Sequence, residues 1–220
     1  MTTLTFVARA LVVAALVGAE PLSAQRAPNA PPPQQSSGAA PQSGISIDEL
    51  GHDMGSRDAP NWIAEFLDMG CGYCARFATE TFPSLDKEYV ANGKIRWKFV
   101  PFVTGLFPHS EDAAVAAECA AQQGKFLEMH DSLLVARKEW IQGSKPQAVF
   151  SRLAKRLKLD QAAFDGCSRG NEARLRIKKQ TMVAQQVSIR GTPTFFINGR
   201  RIEGAIPLPL FRQVLAETTH

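Results

Sequence analysis

The chain has 220 residues, of which 45% are hydrophobic, 21% charged and 8% aromatic, and its formal net charge is +4. This composition excludes a wholly disordered chain, a collagen-like repeat and a disulfide-dense mini-protein, and the length allows one domain with or without an insertion. The small charge excess gives no reason to expect a nucleic-acid or anionic-membrane partner.

The first 47 residues are predicted to lie outside the fold. Residues 1–24 are typical of an export signal peptide, because their apolar run, LVVAALVGA, is well short of the roughly 20 residues that span a bilayer. An uncleaved N-terminal helix is the alternative. Residues 25–47 are rich in Pro, Gln, Ser, Ala and Gly, which predicts a disordered linker. Residues 48–220 remain to form the folded domain, and they contain no predicted membrane span.

The first predicted elements surround a pair of cysteines. Alternating apolar and polar residues predict a strand over 61–68, which leads into Cys71-Gly72-Tyr73-Cys74. Apolar residues at helical spacing then predict a helix from about residue 77 to 90, with a kink at Pro83. Residues 95–103 predict a second strand, parallel to the first if that helix connects the two.

The middle of the chain has helical patterns, and strands return near its end. Residues 194–197 and 201–203 flank Asn198-Gly199, a strong hairpin signal, and residues 209–217 predict a closing helix. This order predicts an α/β thioredoxin-type fold with core segments at about 48–108 and 187–220 and a helical insertion at about 109–186. Five helices are predicted in the insertion. Ser110 and Asp160 are expected to cap the first and the fourth, Ser144 with Pro146 to open the third, and the second and the fifth to begin at Lys125 and Asn171.

The Cys71-Gly72-Tyr73-Cys74 segment carries the most specific chemistry. At a helix N-terminus, unpaired N–H groups and the positive end of the helix dipole favour a thiolate, so the pKa of Cys71 should fall below the free value of about 8.5. We therefore predict Cys71 as the attacking thiolate and Cys74 as the resolving thiol. Haem attachment lacks its His, since residue 75 is Ala. A structural zinc site and a merely structural disulfide compete with the redox interpretation.

Thr192 and Pro193 are predicted to form the second half of the site. Pro193 precedes a strand, where the cis-proline of a thioredoxin-type fold would lie beside the two sulfurs. The backbone of Thr192 would then pair with an extended substrate segment. The alternative is an ordinary trans proline that opens a strand.

Glu65 is a candidate proton relay. It lies six residues before Cys71 on a strand that should be central, where a desolvated carboxyl could pass protons to or from Cys74, with Lys98 as a possible partner. Asp68 is a weaker candidate for this role. The alternative for Glu65 is a surface salt bridge at the rim of the sheet.

Cys119 and Cys167 both fall in the helical block. In an oxidising compartment the even number of remaining cysteines predicts a structural disulfide between them. The alternative is two buried, unpaired thiols.

With these residues, the chain resembles the DsbA-like thiol-disulfide oxidoreductases of the thioredoxin superfamily. The resemblance covers residues 48–220 and rests on the segments EFLDMGCGYCARF, EDAAVAAECAAQQGKFLEMHDSLL and RGTPTFFINGR. It implies an exported, periplasmic enzyme that forms or exchanges disulfides in unfolded or reduced proteins and is reset by a redox partner. It implies no cofactor or metal beyond the redox-active disulfide, and it assigns the same roles to Cys71, Cys74, Pro193 and Glu65.

Two features differ from the strong oxidases of that family. Gly72 and Tyr73 supply no cation, whereas those oxidases carry a His between the cysteines, and the Gly-Tyr dipeptide with Thr192 is similar to the DsbC-type isomerases. Such isomerases dimerise through a folded N-terminal domain, for which residues 25–47 are too short and too rich in Pro. The prediction is a monomeric oxidoreductase, with a disulfide isomerase or reductase as the alternative. A zinc-binding module and a disulfide-stabilised secreted binding domain are more remote hypotheses.

Overall fold

The computed structural model of the protein describes residues 47–218. The predicted signal peptide, residues 1–24, and all but the last residue of the predicted linker lie outside the described residues. Between residues 47 and 218, no helix has the length and apolar character needed to cross a membrane.

A mixed five-stranded sheet forms the centre of the described part of the chain. The strand order is β1-β3-β2-β4-β5, and the predicted parallel pairing of β2 with β3 is confirmed, while β1, β4 and β5 pair antiparallel with their neighbours. The central strand β2 is buried along its length except at Trp62, so its polar residues Asn61 and Glu65 are buried together with its apolar ones. The strands are β1 (His52–Met54), β2 (Asn61–Leu67), β3 (Ile95–Pro101), β4 (Thr194–Ile197) and β5 (Arg200–Glu203).

The edge strand β1 was not predicted from the sequence. It has only three residues, too few to show an alternating pattern. Asp53 in β1 pairs with Lys98 across the ladder and also forms ion pairs with Lys98 and Arg96. These contacts hold a short strand in place that local propensity would not specify.

The chain between β2 and β3 is helical, with two widened turns. Helices α1 (Gly72–Arg76) and α2 (Phe82–Leu85) are each followed by a π-helical turn, at Phe77–Thr81 and Asp86–Val90. The first widened turn ends two residues before Pro83, which lacks the N–H that a regular ladder requires. The regular helix expected over residues 77–90 is therefore interrupted by π-helical turns.

Six helices, rather than the five predicted, lie between β3 and β4. The additional one is α5, whose six residues are too few for a clear period. Asp160 caps α7 as predicted and accepts a hydrogen bond from the Ala163 N–H at 2.8 Å. Ser110 was expected to be a cap but is the first residue of α3, after His109 in the left-handed region. The helices are α3 (Ser110–Ala121), α4 (Phe126–Val135), α5 (Arg137–Gln142), α6 (Pro146–Arg156), α7 (Gln161–Arg169) and α8 (Glu172–Gln186), and α9 (Leu208–Thr218) closes the described chain.

The two faces of the sheet are buried in separate apolar clusters. Alternation along β2 directs Ile63 and Leu67 into the larger cluster, with α1, α3 and α4, and directs Ala64 and Phe66 into the smaller one, against α8. Glu65 therefore shares the face that carries the two redox cysteines. This sheet, covered by helices on both faces, is the predicted α/β thioredoxin fold.

The structure links α3 to α7 through a disulfide between Cys119 and Cys167. Their Cα atoms lie 5.7 Å apart, and 48 positions separate them in the sequence. The bond ties two helices of the helical block, far along the chain from Cys71 and Cys74.

Candidate active site

Cys71 sits at the start of α1, where the chain leaves β2. It is the N-cap residue, with φ −77° and ψ 122°, and its Sγ accepts a hydrogen bond from the backbone N–H of Cys74 at 3.4 Å. Its own N–H donates to the carbonyl oxygen of Asp68 at 2.9 Å. Both Cys71 and Cys74 are free thiols, with exposed fractions of 3% and 1%. The sulfur of Cys71 thus occupies a position where helix N–H groups favour negative charge.

The two thiols of the pair have opposite acidities. A hydrogen bond from the Cys74 thiol is the main cause that lowers the pKa of Cys71, to about 6, and the Thr192 hydroxyl and nearby backbone N–H groups add to it against the effect of burial. Burial raises the pKa of Cys74 well above its ordinary value, and the negative charges of Cys71 and Glu65 raise it further. Near neutral pH, Cys71 is therefore the thiolate and Cys74 the thiol.

The loop before β4 supplies the other wall of the site. The Thr192-Pro193 peptide bond is cis, and the carbonyl oxygen of Thr192 lies 3.2 Å from Sγ of Cys71, which donates to it when protonated. The Pro193 carbonyl accepts from the Gly204 N–H at 2.8 Å, which ties the loop to the end of β5. The structure thus brings Thr192 and Pro193 to the cysteines.

Glu65 is buried in β2, on the same sheet face as the cysteine pair. Its exposed fraction is 2%, and its Oε2 accepts a hydrogen bond from Nε1 of Trp97 at 3.0 Å. Desolvation is the main cause that raises the pKa of Glu65 to about 8, and the negative charges of Asp131 and Cys71 add to it. The alternative of a salt bridge at the sheet rim is therefore excluded for this residue.

Lys98 was expected to be a partner of Glu65, and this expectation is wrong. In the β2–β3 ladder Lys98 lies opposite Ala64, so its side chain points to the other face of the sheet. Its Nζ bonds to the Leu50 carbonyl at 3.0 Å and to Asp53 at 2.8 Å. Lys98 therefore does not stabilise the ionised form of Glu65, and desolvation is the main cause that raises the pKa of Glu65.

Asp68 organises the loop that leads to Cys71. The residue is fully buried, and its carboxylate accepts hydrogen bonds at 2.8 Å from the Gly70 N–H, the Thr104 N–H and the Thr104 hydroxyl, and one at 3.4 Å from the Ser110 hydroxyl. With its oxygens engaged in this way, Asp68 holds the end of β2 against the loop after β3. It is a structural anchor for the site, and its geometry favours Glu65 as the proton relay.

Gly70 is required by close packing. A Cβ at this position would lie 2.3 Å from the Cβ of Phe107, far inside van der Waals contact. A Cβ at Gly72 would meet only the Arg137 guanidinium, at 3.7 Å. The two glycines that flank Cys71 therefore differ in their surroundings. Gly70 leaves room for the side chain of Phe107, whereas Gly72 is exposed beside the Arg137 guanidinium.

Arg137 is a site residue that sequence reasoning missed. It is the first residue of α5, and its Nε donates a hydrogen bond to the Gly70 carbonyl oxygen. Its guanidinium carbon lies 5.9 Å from the centre of the Phe107 ring. No sequence motif connects Arg137 to the cysteine pair, because only the packing of the helical block brings α5 to this loop.

The structure gives no support to a zinc site among residues 47–218. Within that range, no three His, Cys, Asp or Glu side chains are grouped so as to hold a metal ion. Cys119 and Cys167, two of the possible ligands, are joined to each other. The site combines a thiolate on Cys71, a protonated thiol on Cys74 and a buried carboxyl group on Glu65 with a pKa of about 8. These groups can carry out thiol-disulfide exchange.

Comparison with known proteins places these residues in a known fold. A family model described as Thioredoxin matches residues 48–217. The crystal structure of Wolbachia pipientis alpha-DsbA1 superposes with a TM-score of 0.69 at 22% identity and covers 76% of this chain and 89% of that chain. This likeness establishes a shared fold.

Curated relatives match over similar parts of the chain. The Na(+)/H(+) antiporter NhaA 3 of Salinispora tropica is 37% identical over 155 residues, which are 70% of this chain and 22% of the antiporter. A Rickettsia conorii protein named "Putative protein-disulfide oxidoreductase" is 23% identical over 156 residues, which are 70% of this chain and 56% of that protein. The chain thus spans about a fifth of the antiporter and just over half of the Rickettsia protein.

Proposed function

We propose, from the premise that this chain belongs to the thioredoxin family and has the fold of DsbA proteins, that it is an exported thiol-disulfide oxidoreductase acting through Cys71 and Cys74. The observation that carries the proposal is the asymmetry of the pair: a thiolate on Cys71 at the start of α1 and a buried thiol on Cys74. Such a pair can form and release a mixed disulfide with a client protein.

The oxidising reaction starts from the Cys71–Cys74 disulfide. A client thiolate attacks Sγ of Cys71, the bond to Cys74 breaks, and Cys74 leaves as a thiolate that takes up a proton. A second client thiolate then attacks the client sulfur of the mixed disulfide and expels Cys71 as a thiolate. The client loses two electrons and gains a disulfide, and the Cys71/Cys74 pair gains both electrons.

Glu65 is proposed to supply the proton that Cys74 needs. A thiolate left on Cys74 would be buried, and desolvation makes a buried charge costly. Glu65 is buried on the same sheet face, interacts electrostatically with Cys74 and has a pKa of about 8, so it carries a proton at neutral pH. In the reducing direction the same carboxylate would accept the proton again.

Thr192 and Pro193 are proposed to position the client. The Thr192 carbonyl lies 3.2 Å from Sγ of Cys71, so a client cysteine bound to that sulfur brings its own backbone alongside residue 192. An extended client segment can then form strand-like hydrogen bonds with the loop, which accept many sequences because they use only main-chain atoms.

The direction of exchange follows from the acidity of Cys71. A stabilised thiolate favours the reduced pair over the disulfide, which makes the disulfide a good oxidant. We therefore propose net oxidation of reduced exported proteins by a monomer that a separate redox partner resets. The Cys119–Cys167 disulfide supports an oxidising, periplasmic or otherwise exported location. A DsbC-type isomerase or reductase is the competing outcome in the experiment below.

The experiment is the redox equilibrium of Cys71/Cys74 with glutathione, combined with oxidation of a reduced client, insulin reduction and refolding of scrambled ribonuclease. We expect the reduced pair to be favoured over the disulfide and client oxidation to dominate. Cys71→Ser should abolish exchange, whereas Cys74→Ser should trap the client on Cys71 as a mixed disulfide. Full exchange by the Cys71→Ser variant would refute the proposal. Strong refolding of scrambled ribonuclease by the wild-type protein would show that it acts as a disulfide isomerase and not as an oxidase.

A further inference from the structure

Two guanidinium groups from different elements flank the redox dipeptide. Arg137, from α5, lies 3.7 Å from the position that a Cβ on Gly72 would occupy. Arg76, the last residue of α1, has its guanidinium carbon 4.9 Å from the centre of the Tyr73 ring. Tyr73 is 60% exposed and Gly72 is also exposed, so both cations lie beside exposed residues of the Cys71-Gly72-Tyr73-Cys74 segment.

Neither charge is neutralised by the part of the chain that the structure describes. No ion pair of Arg76 or Arg137 occurs within residues 47–218, whereas Arg96 is paired with two aspartates and Arg174 with a glutamate and an aspartate. Asp68, the carboxylate nearest in sequence to Cys71, is buried, whereas Glu80, one helical turn after Arg76, is exposed but forms no ion pair within residues 47–218. The guanidinium groups of Arg76 and Arg137 are therefore available to a charged partner.

Arg137 is also held in place before a client arrives. Its Nε is bound to the Gly70 carbonyl and its planar group lies against Phe107, which leaves the two terminal nitrogens without a hydrogen-bond partner within residues 47–218. A fixed guanidinium loses less conformational freedom on binding than a free one, and its paired N–H groups match the geometry of a carboxylate.

We propose that Arg137 and Arg76 recognise acidic residues next to the client cysteine, so that the protein prefers segments in which Asp or Glu lies within two positions of that cysteine. This inference rests on the proposed function. An extended segment rises about 3.3 Å per residue, so side chains one or two positions from a cysteine bonded to Cys71 can reach the guanidinium beside Gly72. The attraction speeds the encounter and weakens as salt screens it.

The test uses the full chain in its oxidised form and two single-cysteine peptides that differ only by Glu or Gln beside the cysteine. The rate of mixed-disulfide formation is measured by rapid acid quench and mass spectrometry, and the same peptides are reacted with glutathione disulfide to correct for their intrinsic thiol reactivity. After this correction we expect the Glu peptide to react about fivefold faster at low ionic strength, as for one exposed ion pair at the strong end of its range. The preference should largely disappear in about 1 M salt.

The variants assign this preference to the named residues. Arg137→Gln and Arg76→Gln should each reduce the Glu-to-Gln rate ratio, and Arg137→Lys should restore part of it. Lys138→Gln is the matched control, because it removes one positive charge from a neighbouring position and should keep the wild-type ratio. Denaturant unfolding curves of all variants test whether the fold is intact. If Arg137 had a purely structural role, loss of the Glu-to-Gln rate ratio in Arg137→Gln would come with a lower free energy of unfolding.

The outcomes separate the two proposals. Equal corrected rates for the two peptides with the wild-type protein, or a ratio that Arg137→Gln and Arg76→Gln leave unchanged, would overturn the recognition of acidic segments and leave the oxidoreductase intact. If the wild-type protein forms a mixed disulfide with neither peptide, both proposals fail.

Discussion

The Sγ of Cys71 lies 3.2 Å from the carbonyl oxygen of Thr192, although 121 positions separate the two residues. The carbonyl can accept a hydrogen bond only from the protonated thiol, whereas the Cys74 thiol and N–H stabilise the thiolate. The balance favours the thiolate, and the Cys74 thiol is the largest cause. The acidity of Cys71 therefore depends on its resolving partner, and this dependence can be measured.

Alkylation of the reduced protein should report the pKa of Cys71. With a small reagent, we expect the rate at Cys71 to rise with a midpoint near pH 6, while Cys74 stays protected. Cys74→Ala removes the thiol donor and should move this midpoint toward the ordinary value of 9.0, whereas Cys74→Ser keeps a hydroxyl donor and should move it less. Identical midpoints in the two variants would contradict a role for the Cys74 side chain.

The difference in stability between the reduced and oxidised proteins should depend on pH. The pKa of Cys71 is lower in the folded protein, about 6, than its ordinary value of 9.0. The thiolate therefore stabilises the reduced fold fully above pH 9, and this contribution is lost as the pH falls through 6. Denaturant unfolding of both forms from about pH 5 to 9 measures it. A difference that does not change with pH would contradict the assigned thiolate.

Glu65 should make the wild-type protein less stable as pH rises. Its pKa is raised from 4.5 to about 8 in the folded state, so the folded protein retains a proton that the unfolded chain loses between these values. Relative to Glu65→Gln, each referenced to its own stability at about pH 4.5, the wild type should lose about 3 kcal/mol of unfolding free energy by about pH 7. Parallel pH profiles for the two proteins would show that Glu65 is ionised in the fold.

Client exchange by the same variant tests the proton relay. Because Gln cannot donate the proton that Cys74 needs, Glu65→Gln should slow mixed-disulfide formation near neutral pH and remove the dependence on a group that titrates near 8. An unchanged rate and pH profile would leave Glu65 without a part in the reaction.

Gly70 and Gly72 form a matched pair on either side of Cys71. Gly70→Ala places a methyl group 2.3 Å from the Phe107 side chain and should cost about 1–3 kcal/mol of stability through overpacking. Gly72→Ala meets only a guanidinium at 3.7 Å and, at the start of α1, should be neutral or stabilising by up to about 1 kcal/mol. Unfolding measurements compare the two, and equal costs would contradict the described packing of Phe107.

The Cys119–Cys167 bond should stabilise the fold without taking part in exchange. Replacing both residues with Ala should lower the unfolding free energy by up to about 4 kcal/mol in the chain-entropy account of a loop of this length. The glutathione equilibrium of Cys71/Cys74 should not change. Peptide mapping without reductant should recover Cys119 and Cys167 in one cross-linked fragment, and two free thiols after unfolding would refute the bond.

The sequence by itself determined the chemistry and much of the fold. A strand that runs into Cys71-Gly72-Tyr73-Cys74 and then a helix places a thiol at a helix N-terminus, because each of these signals is local. The same holds for the β4–β5 hairpin, whose Asn198 and Gly199 both adopt the positive φ that their residue types allow. The helix that begins after Asp160 follows from capping chemistry alone.

Only the tertiary structure decided which side chains meet. Lys98 was expected beside Glu65, but a one-residue difference in register places it on the opposite face of the sheet. Strand β1 and helix α5 are too short to show a period, and Arg137 reaches Gly70 only because the helical block packs against the loop before Cys71. Contacts between distant segments depend on register and packing, which no local pattern encodes. The neighbours of the redox thiol were therefore decided by the fold, while the thiol itself could be identified from the sequence.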